Sequence, residues 1–155
     1  MKKTGTMSLC TIAAMMLLSG TAGAGESRSY VDARSASDPD VLPFSGAVMA
    51  GDTLYVSGSL GLDENGKVPA DPADEARNVM NAVRKTVEAA GLTMDDIVSV
   101  QVFCADVADY GAFNKVYRSY FTGEFPARAF VGAGTLLFNA RFEVQVIAVR
   151  SGTDG

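Results

Sequence analysis

The segment from Phe125 to Val149 constrains the fold more than any other part of this chain. The residues on either side of its Gly132–Asn139 connection are rich in valine, phenylalanine, isoleucine and alanine, a composition that favours strands. We therefore expect two neighbouring strands of one sheet. The first strand carries Arg128, and the second, Phe142–Val149, carries Glu143. A charge on a half-buried strand costs desolvation free energy unless it finds a partner.

These two charges have more than one interpretation. Arg128 and Glu143 can form a structural ion pair, or they can lie at a solvated edge of the sheet. They can also form a site in which the arginine binds a carboxylate and the glutamate accepts or donates a proton, because ionisable groups in unfavourable environments often cluster at functional sites. Periodicity alone leaves these interpretations open.

The first 24 residues have the layout of a secretory signal peptide. Lys2 and Lys3 form a positive start, Met7–Leu18 is apolar, and Ala22–Ala24 has the small-residue pattern of a cleavage site. The apolar run is shorter than the ~20 residues that span a bilayer, so a retained anchor is the less favoured alternative. We expect an exported protein, periplasmic or secreted, with no membrane attachment after cleavage.

Composition excludes several classes of function. The length of 155 residues fits one domain. A formal charge of −5 disfavours both nucleic acid and anionic membranes. The chain contains no histidine, which removes histidine triads and most zinc sites, and only Cys104 follows the leader. We expect no metal site, and Cys104 is most simply a core residue.

The order of elements follows from the positions of turn residues and from the periodicity of apolar residues. A polar, proline-bounded segment at 25–43 is expected to be an extended arm or linker. Ala47–Ala50 and Thr53–Ser59 form a predicted hairpin around Gly51-Asp52. Gly58 then marks either a bulge or a close approach of the backbone to a ligand, and the bulge is the simpler interpretation.

Two helices and three more strands complete the pattern. Asp71 caps the first helix and Gly91 ends it, with a buried face at Ala76, Val79, Met80, Val83, Val87 and Ala90. Ile97–Cys104 is a strand, and the second helix runs from about Asp109 to Phe121, packing through Phe113, Val116, Tyr117 and Tyr120. Asn114 lies beside that packing face, where an exposed polar position is the simpler interpretation.

The predicted fold is therefore α+β, a β-β-α-β-α-β-β single sheet with two helices on one face. The arm occupies 25–40, the domain 41–150 and a short tail 151–155. The last strand is apolar on both faces, so the face without helices is expected to be buried against another subunit. Self-association in a closed ring is the simplest solution.

Several motifs resemble the RidA (YjgF) family of reactive-intermediate deaminases, over residues 41–150. They are Leu42-Pro43-Phe44-Ser45, Leu54-Tyr55-Val56-Ser57-Gly58, Gly91-Leu92 with Asp95-Asp96-Ile97, Phe113-Asn114-Lys115-Val116-Tyr117, and Phe125-Pro126-Ala127-Arg128 followed by Glu143. The resemblance implies a chorismate-mutase-like homotrimer with sites between subunits. It also implies hydrolysis of enamines and imines of small 2-keto acids, such as 2-aminoacrylate and 2-iminobutanoate, without metal or organic cofactor.

The resemblance also implies roles for single residues. Arg128 clamps the substrate carboxylate, and Glu143 activates water or shuttles a proton to the leaving nitrogen. Backbone groups at Phe130 hold the imine end, Asn114 braces the cleft, and Phe44 and Gly58 line the substrate site. This sequence departs from the family pattern at Phe44, usually tyrosine, at Phe130, often cysteine, at Ser59, usually glutamine, and at Leu136–Ala140, usually Leu-Pro-x-Gly-Ala.

A hypothesis of another class remains. The same clefts can serve a non-catalytic trimer that binds small carboxylates or, like a chaperone, client proteins. The Arg128–Glu143 combination favours the enzyme, whereas Phe44 and Phe130 favour altered catalysis. Binding of unfolded clients would survive replacement of Arg128, because apolar surface would carry it.

Overall fold

A computed structural model describes residues 28–151. The predicted leader and most of the tail lie outside this range. The elements are β1 (Arg28–Val31), β2 (Ala47–Ala50), β3 (Thr53–Leu60), α1 (Pro72–Ala89), β4 (Ile97–Cys104), α2 (Tyr110–Tyr117), β5 (Ala127–Gly132) and β6 (Phe142–Val149). Between residues 28 and 151, no helix is both long and apolar enough to cross a bilayer.

The strands form one mixed sheet in the order β1-β2-β3-β6-β4-β5. The expectation that β5 and β6 are neighbours is wrong, because β4 lies between them. The connection from β4 through α2 makes β5 parallel to β4, as a helical crossover allows, and β6 then returns antiparallel on the other side of β4. Part of the predicted arm is also a strand, since β1 pairs with β2.

Both helices cover one face of the sheet, as predicted. The Asp71 carboxylate accepts a hydrogen bond from the backbone N–H of Ala73 at 2.8 Å, which caps α1. Gly91 ends that helix with φ of 76°, a left-handed conformation that favours glycine. Helix α2 is anchored by the fully buried Phe113, whose ring centroid lies 5.0 Å from that of Phe142 on β6.

Cys104 is a core residue, as predicted. Its side chain is fully buried on β4, and burial raises the pKa of its thiol. The thiol donates a hydrogen bond to the backbone oxygen of Asp106, with sulfur and oxygen 2.9 Å apart. A neutral, buried thiol is a poor nucleophile, so Cys104 contributes packing.

The buried ion pair of the described chain joins Glu75 and Arg141, which the sequence did not pair. Glu75 is 0% exposed, and its carboxylate accepts from Arg141 Nη1 at 2.8 Å. The backbone N–H groups of Arg141 and Phe142 donate to the same carboxylate at 2.6 and 3.1 Å. Gly61 passes so close to α1 that an added Cβ would overlap the backbone of Glu75. This pair fixes α1 against the start of β6.

Replacing Glu75 with glutamine is expected to destabilise the fold by about 3 kcal/mol, because the partly buried Arg141 loses its counter-charge and its donors lose one acceptor oxygen. The matched control is Asp74→Asn, one residue away, which removes an ion pair with Arg77 whose side chains are 51% and 55% exposed. That change should cost less than about 1 kcal/mol. Urea unfolding of both variants measures the difference, and equal costs would contradict the assigned role of Glu75.

Candidate functional site

Arg128 lies on β5, at the edge of the sheet, and its side chain points toward α2. It is half-buried, and its Nη2 donates to the Asn114 side-chain oxygen at 2.7 Å. Asn114 is therefore half-buried and bonded, so the simpler expectation of an exposed polar position is wrong. Among residues 28–151, no carboxylate lies within ion-pair distance of Arg128. A guanidinium has five N–H donors, so a fork remains for an added anion.

Aromatic rings hold the Arg128 guanidinium in place. Its central carbon lies 4.5 Å from the ring centroid of Tyr117, 5.8 Å from that of Phe130 and 5.9 Å from that of Tyr110. Burial raises the pKa of the Tyr117 phenol to about 12, even though Arg128 acts to lower it. The phenol is therefore neutral at physiological pH, and its contact with Arg128 is a cation–π interaction.

The Tyr117 ring, and not its hydroxyl, is expected to position Arg128. The hydroxyl is buried and has no hydrogen-bond partner in the described chain. Tyr117→Phe should leave activity within about twofold and raise stability slightly, because a buried unsatisfied group is removed. Tyr117→Leu should lower kcat/KM about tenfold, since cation–π contacts contribute ~0.5–2 kcal/mol. Steady-state kinetics test this, and equal losses in both variants would contradict it.

Glu143 lies on β6 in a separate cavity of about 640 Å³. Its side chain is half-buried, and the cavity is lined by Leu42, Phe44, Ser57, Gly58, Leu60, Leu62, Leu137, Phe138, Glu143 and Gln145. Three of the residues proposed from the sequence, Phe44, Gly58 and Glu143, thus meet here. The arrangement places one carboxylate in a largely apolar cavity.

Gly58 gives the Glu143 carboxylate its space. The pairing of β3 with β6 shifts register between Val56 and Ser59, which confirms the predicted bulge. A Cβ added at Gly58 would overlap Oε1 of Glu143. The absence of a side chain therefore lets the carboxylate rest against the backbone of β3.

Gly58→Ala is expected to displace the Glu143 carboxylate and lower kcat/KM about 100-fold, because a misplacement of ~1 Å has that effect. The melting temperature should change little, since the cavity is open enough for the side chain to turn. Gly123→Ala is the control, because an added Cβ there meets no atom within 4 Å. Unchanged kinetics in Gly58→Ala would argue against a catalytic Glu143.

The two groups of predicted site residues lie on opposite faces of the sheet. Arg128 pairs with Val100 of β4, which pairs with Val146 of β6, and both valines are buried under the helices. Glu143 is three positions before Val146 on the same strand, so it points to the other face. Arg128 and Glu143 are therefore not an ion pair within one chain. One face carries Arg128, Asn114 and Phe130, and the other carries the Glu143 cavity.

Comparison with known proteins identifies the family. The model of the family described as Endoribonuclease L-PSP matches residues 35–150. A 2-iminobutanoate/2-iminopropanoate deaminase of Dermatophagoides farinae is 38% identical over 109 residues, which are 69% of this chain and 85% of that protein. The Mus musculus protein of the same name is 36% identical over 110 residues, 70% of this chain and 82% of its own length. The chain belongs to the Endoribonuclease L-PSP (RidA/YjgF) family.

Solved RidA/YjgF structures share the fold. The YjgF gene product of E. coli is 35% identical, with a TM-score of 0.70 over 79% of this chain and 100% of that one. The E. coli protein TdcF, solved with bound serine, is 33% identical, with a TM-score of 0.69 over 72% and 91% of the two chains. The predicted α+β architecture is confirmed, with β1 as an addition.

Three residues beside Arg128 were not predicted as site residues, although one of them, Phe125, begins the family motif that ends at Arg128. Tyr110, Arg118 and Phe125 line its pocket of about 100 Å³. A hydrogen bond from Asn114 and the charge of Arg128 lower the pKa of the Tyr110 phenol. The Arg118 guanidinium lies 5.6 Å from the Phe125 ring centroid and adds a second positive charge. The available signal was the frequent occurrence of aromatic and basic residues between Tyr110 and Phe125, and it indicates an anion-binding pocket in this RidA-family chain.

Proposed function

We propose that this protein hydrolyses enamine and imine intermediates of small 2-keto acids, of the 2-iminobutanoate and 2-aminoacrylate type. An enamine first tautomerises to the imine. Water adds across the C=N bond to give a carbinolamine. The C–N bond then breaks as the C=O bond forms, and ammonia leaves with both protons of the water, so no oxidant or reductant is needed. The observation that carries this proposal is the position of Arg128, which Asn114 and the Tyr117 ring hold in place while N–H donors remain for a carboxylate.

Each site residue has a role that its position supports. Arg128 binds the substrate carboxylate, and Asn114 fixes the guanidinium through the 2.7 Å hydrogen bond. Glu143 activates the water and passes its proton to the nitrogen. Phe130 lies on the edge strand β5, whose outer backbone groups have no strand partner within residues 28–151, so they can bond the imine end.

The assembly in this proposal is a homotrimer with one site at each contact. Substrate must touch both Arg128 and Glu143, which one chain places on opposite faces, so the two come from different copies. The contact then joins two different surfaces, and such a heterologous contact gives a ring when the rotation between copies closes. Exposed apolar side chains support it, with Tyr55 51% and Val131 45% exposed. The resemblance to the family implies three subunits in the ring.

The proposed place of action is outside the cytoplasm, because the sequence begins with a predicted signal peptide at 1–24. The family description mentions a ribonuclease, but the charge of −5 is unsuited to a polyanion. Small anionic substrates need only the local positive charge of Arg128 and Arg118.

The test uses residues 25–155 with 2-iminobutanoate generated in place by a threonine dehydratase. Release of 2-ketobutanoate is followed with and without the protein, and acceleration above the spontaneous rate is the expected result. No acceleration from a well-folded assembly would contradict the proposal. Binding of an unfolded client that persists in Arg128→Ala would instead favour the non-catalytic module.

A further inference from the structure

The walls of the Glu143 cavity are unusually apolar for a site that takes a small polar intermediate. The polar side chains are those of Ser57, Glu143 and Gln145. The rest of the wall consists of Leu42, Phe44, Leu60, Leu62, Leu137 and Phe138. The ethyl group of 2-iminobutanoate would contact only a small part of that surface in a cavity of about 640 Å³.

The loop before β6 is built to present two of these side chains. Phe138 and Asn139 both have left-handed backbone, with φ of 57° and 59°, a conformation that a phenylalanine rarely adopts. Backbone hydrogen bonds from Asn139 to Leu136 at 3.2 Å and from Ala140 to Leu137 at 3.0 Å hold the turn. Such backbone is found where surrounding structure and function maintain it.

The same turn leaves Leu137 and Phe138 each 69% exposed at the mouth of the cavity. Phe44 lines the same cavity and is 47% exposed. Its ring is held by Arg34, whose guanidinium carbon lies 5.2 Å from the ring centroid and whose Nη1 donates to the Phe44 backbone oxygen at 3.2 Å. These apolar side chains therefore share one cavity with the Glu143 carboxylate, which lies against Gly58.

We propose that the preferred substrates of this site are imines with a large apolar side chain, of the branched aliphatic or aromatic class, and that Leu137 and Phe138 select them. This inference rests on the proposed deaminase function. The reaction is the same hydrolysis, with Glu143 at the C=N end and the side chain of the substrate between the Phe44 wall and the Leu137–Phe138 turn. Each methylene that leaves water in such a pocket raises discrimination about tenfold or more.

The experiment compares imines that one L-amino-acid oxidase forms from 2-aminobutyrate, leucine and phenylalanine, with catalase removing peroxide. Ammonia release above the rate without the protein gives kcat/KM for each imine. The wild type should favour the leucine- or phenylalanine-derived imine over the ethyl one by about tenfold or more. Phe138→Ala should lower kcat/KM for the large imines about tenfold more than for the ethyl imine, which removes most of that preference, while Phe138→Leu should retain part of it.

Val107→Ala is the control, because Val107 is 61% exposed and lies outside the cavity. Light scattering of each variant measures the assembly. Equal efficiency on all three imines overturns the inference and leaves the proposed function standing. A Phe138→Ala protein that dissociates and loses all activity alike also overturns it, because the loop then serves the contact between copies. No acceleration of any imine overturns the proposed function, and this inference with it.

Discussion

Arg128→Ala is expected to lower kcat/KM on 2-iminobutanoate by about 10²–10⁴, because two hydrogen bonds to a charged carboxylate contribute ~1.5–3 kcal/mol each. The affinity for the carboxylate product, measured by calorimetry, should fall by a similar factor. Arg128→Lys keeps the charge but not the fork, so it should recover only a small part of the loss. The fold should remain, because Arg128 forms no ion pair within the described residues.

Arg84→Ala is the matched control for Arg128→Ala. Arg84 also lies over an aromatic ring, with its guanidinium carbon 5.4 Å from the Tyr120 ring centroid, but it is exposed on α1. Its replacement removes only one exposed cation–π contact, which contributes little free energy. Both kcat/KM and the affinity for the product should therefore stay within about twofold of the wild-type values. An Arg128→Ala protein that retains wild-type kinetics would contradict carboxylate capture by this residue.

Local signals in the sequence were sufficient for most of the elements. Ile97–Cys104 and Phe142–Val149 have the predicted bounds, since apolar runs bounded by turn residues define strands locally. Local signals did not predict the order of the strands in the sheet. Placing β4 between β5 and β6 depends on the parallel crossover through α2, which is a long-range property.

For the candidate site, too, local features were predicted and long-range contacts were not. Arg128 and Glu143 were identified from their residue type on apolar strands, and the structure places each beside a pocket. An ion pair between Arg128 and Glu143 was one of the interpretations left open, and Glu75 was not considered for one because it matched the simple pattern of an acidic residue in a first helical turn. Its partner Arg141 lies 66 residues away, and no periodicity connects them.

Mixing two inactive variants is expected to restore activity. Glu143→Gln keeps the shape of the side chain but removes the base, which should lower kcat by about 10²–10⁴. If Arg128 and Glu143 act from different copies, an assembly that contains Arg128→Ala and Glu143→Gln chains has some sites with both native residues. After unfolding and refolding of an equal mixture, about one quarter of the sites should be native, by random placement in a ring.

The control is the same mixture without subunit exchange, which should stay inactive. A double variant carrying both changes, refolded with an equal amount of wild type, should also give about one quarter native sites under this arrangement, but about one half if each site lay within one chain. The two mixtures together therefore separate the possibilities. Recovery to one quarter requires that the opposite faces of the sheet meet across a contact between copies. Failure of the mixture to recover would instead place both residues of a site in the same chain, which would contradict the inference that Arg128 and Glu143 point to opposite faces of the sheet.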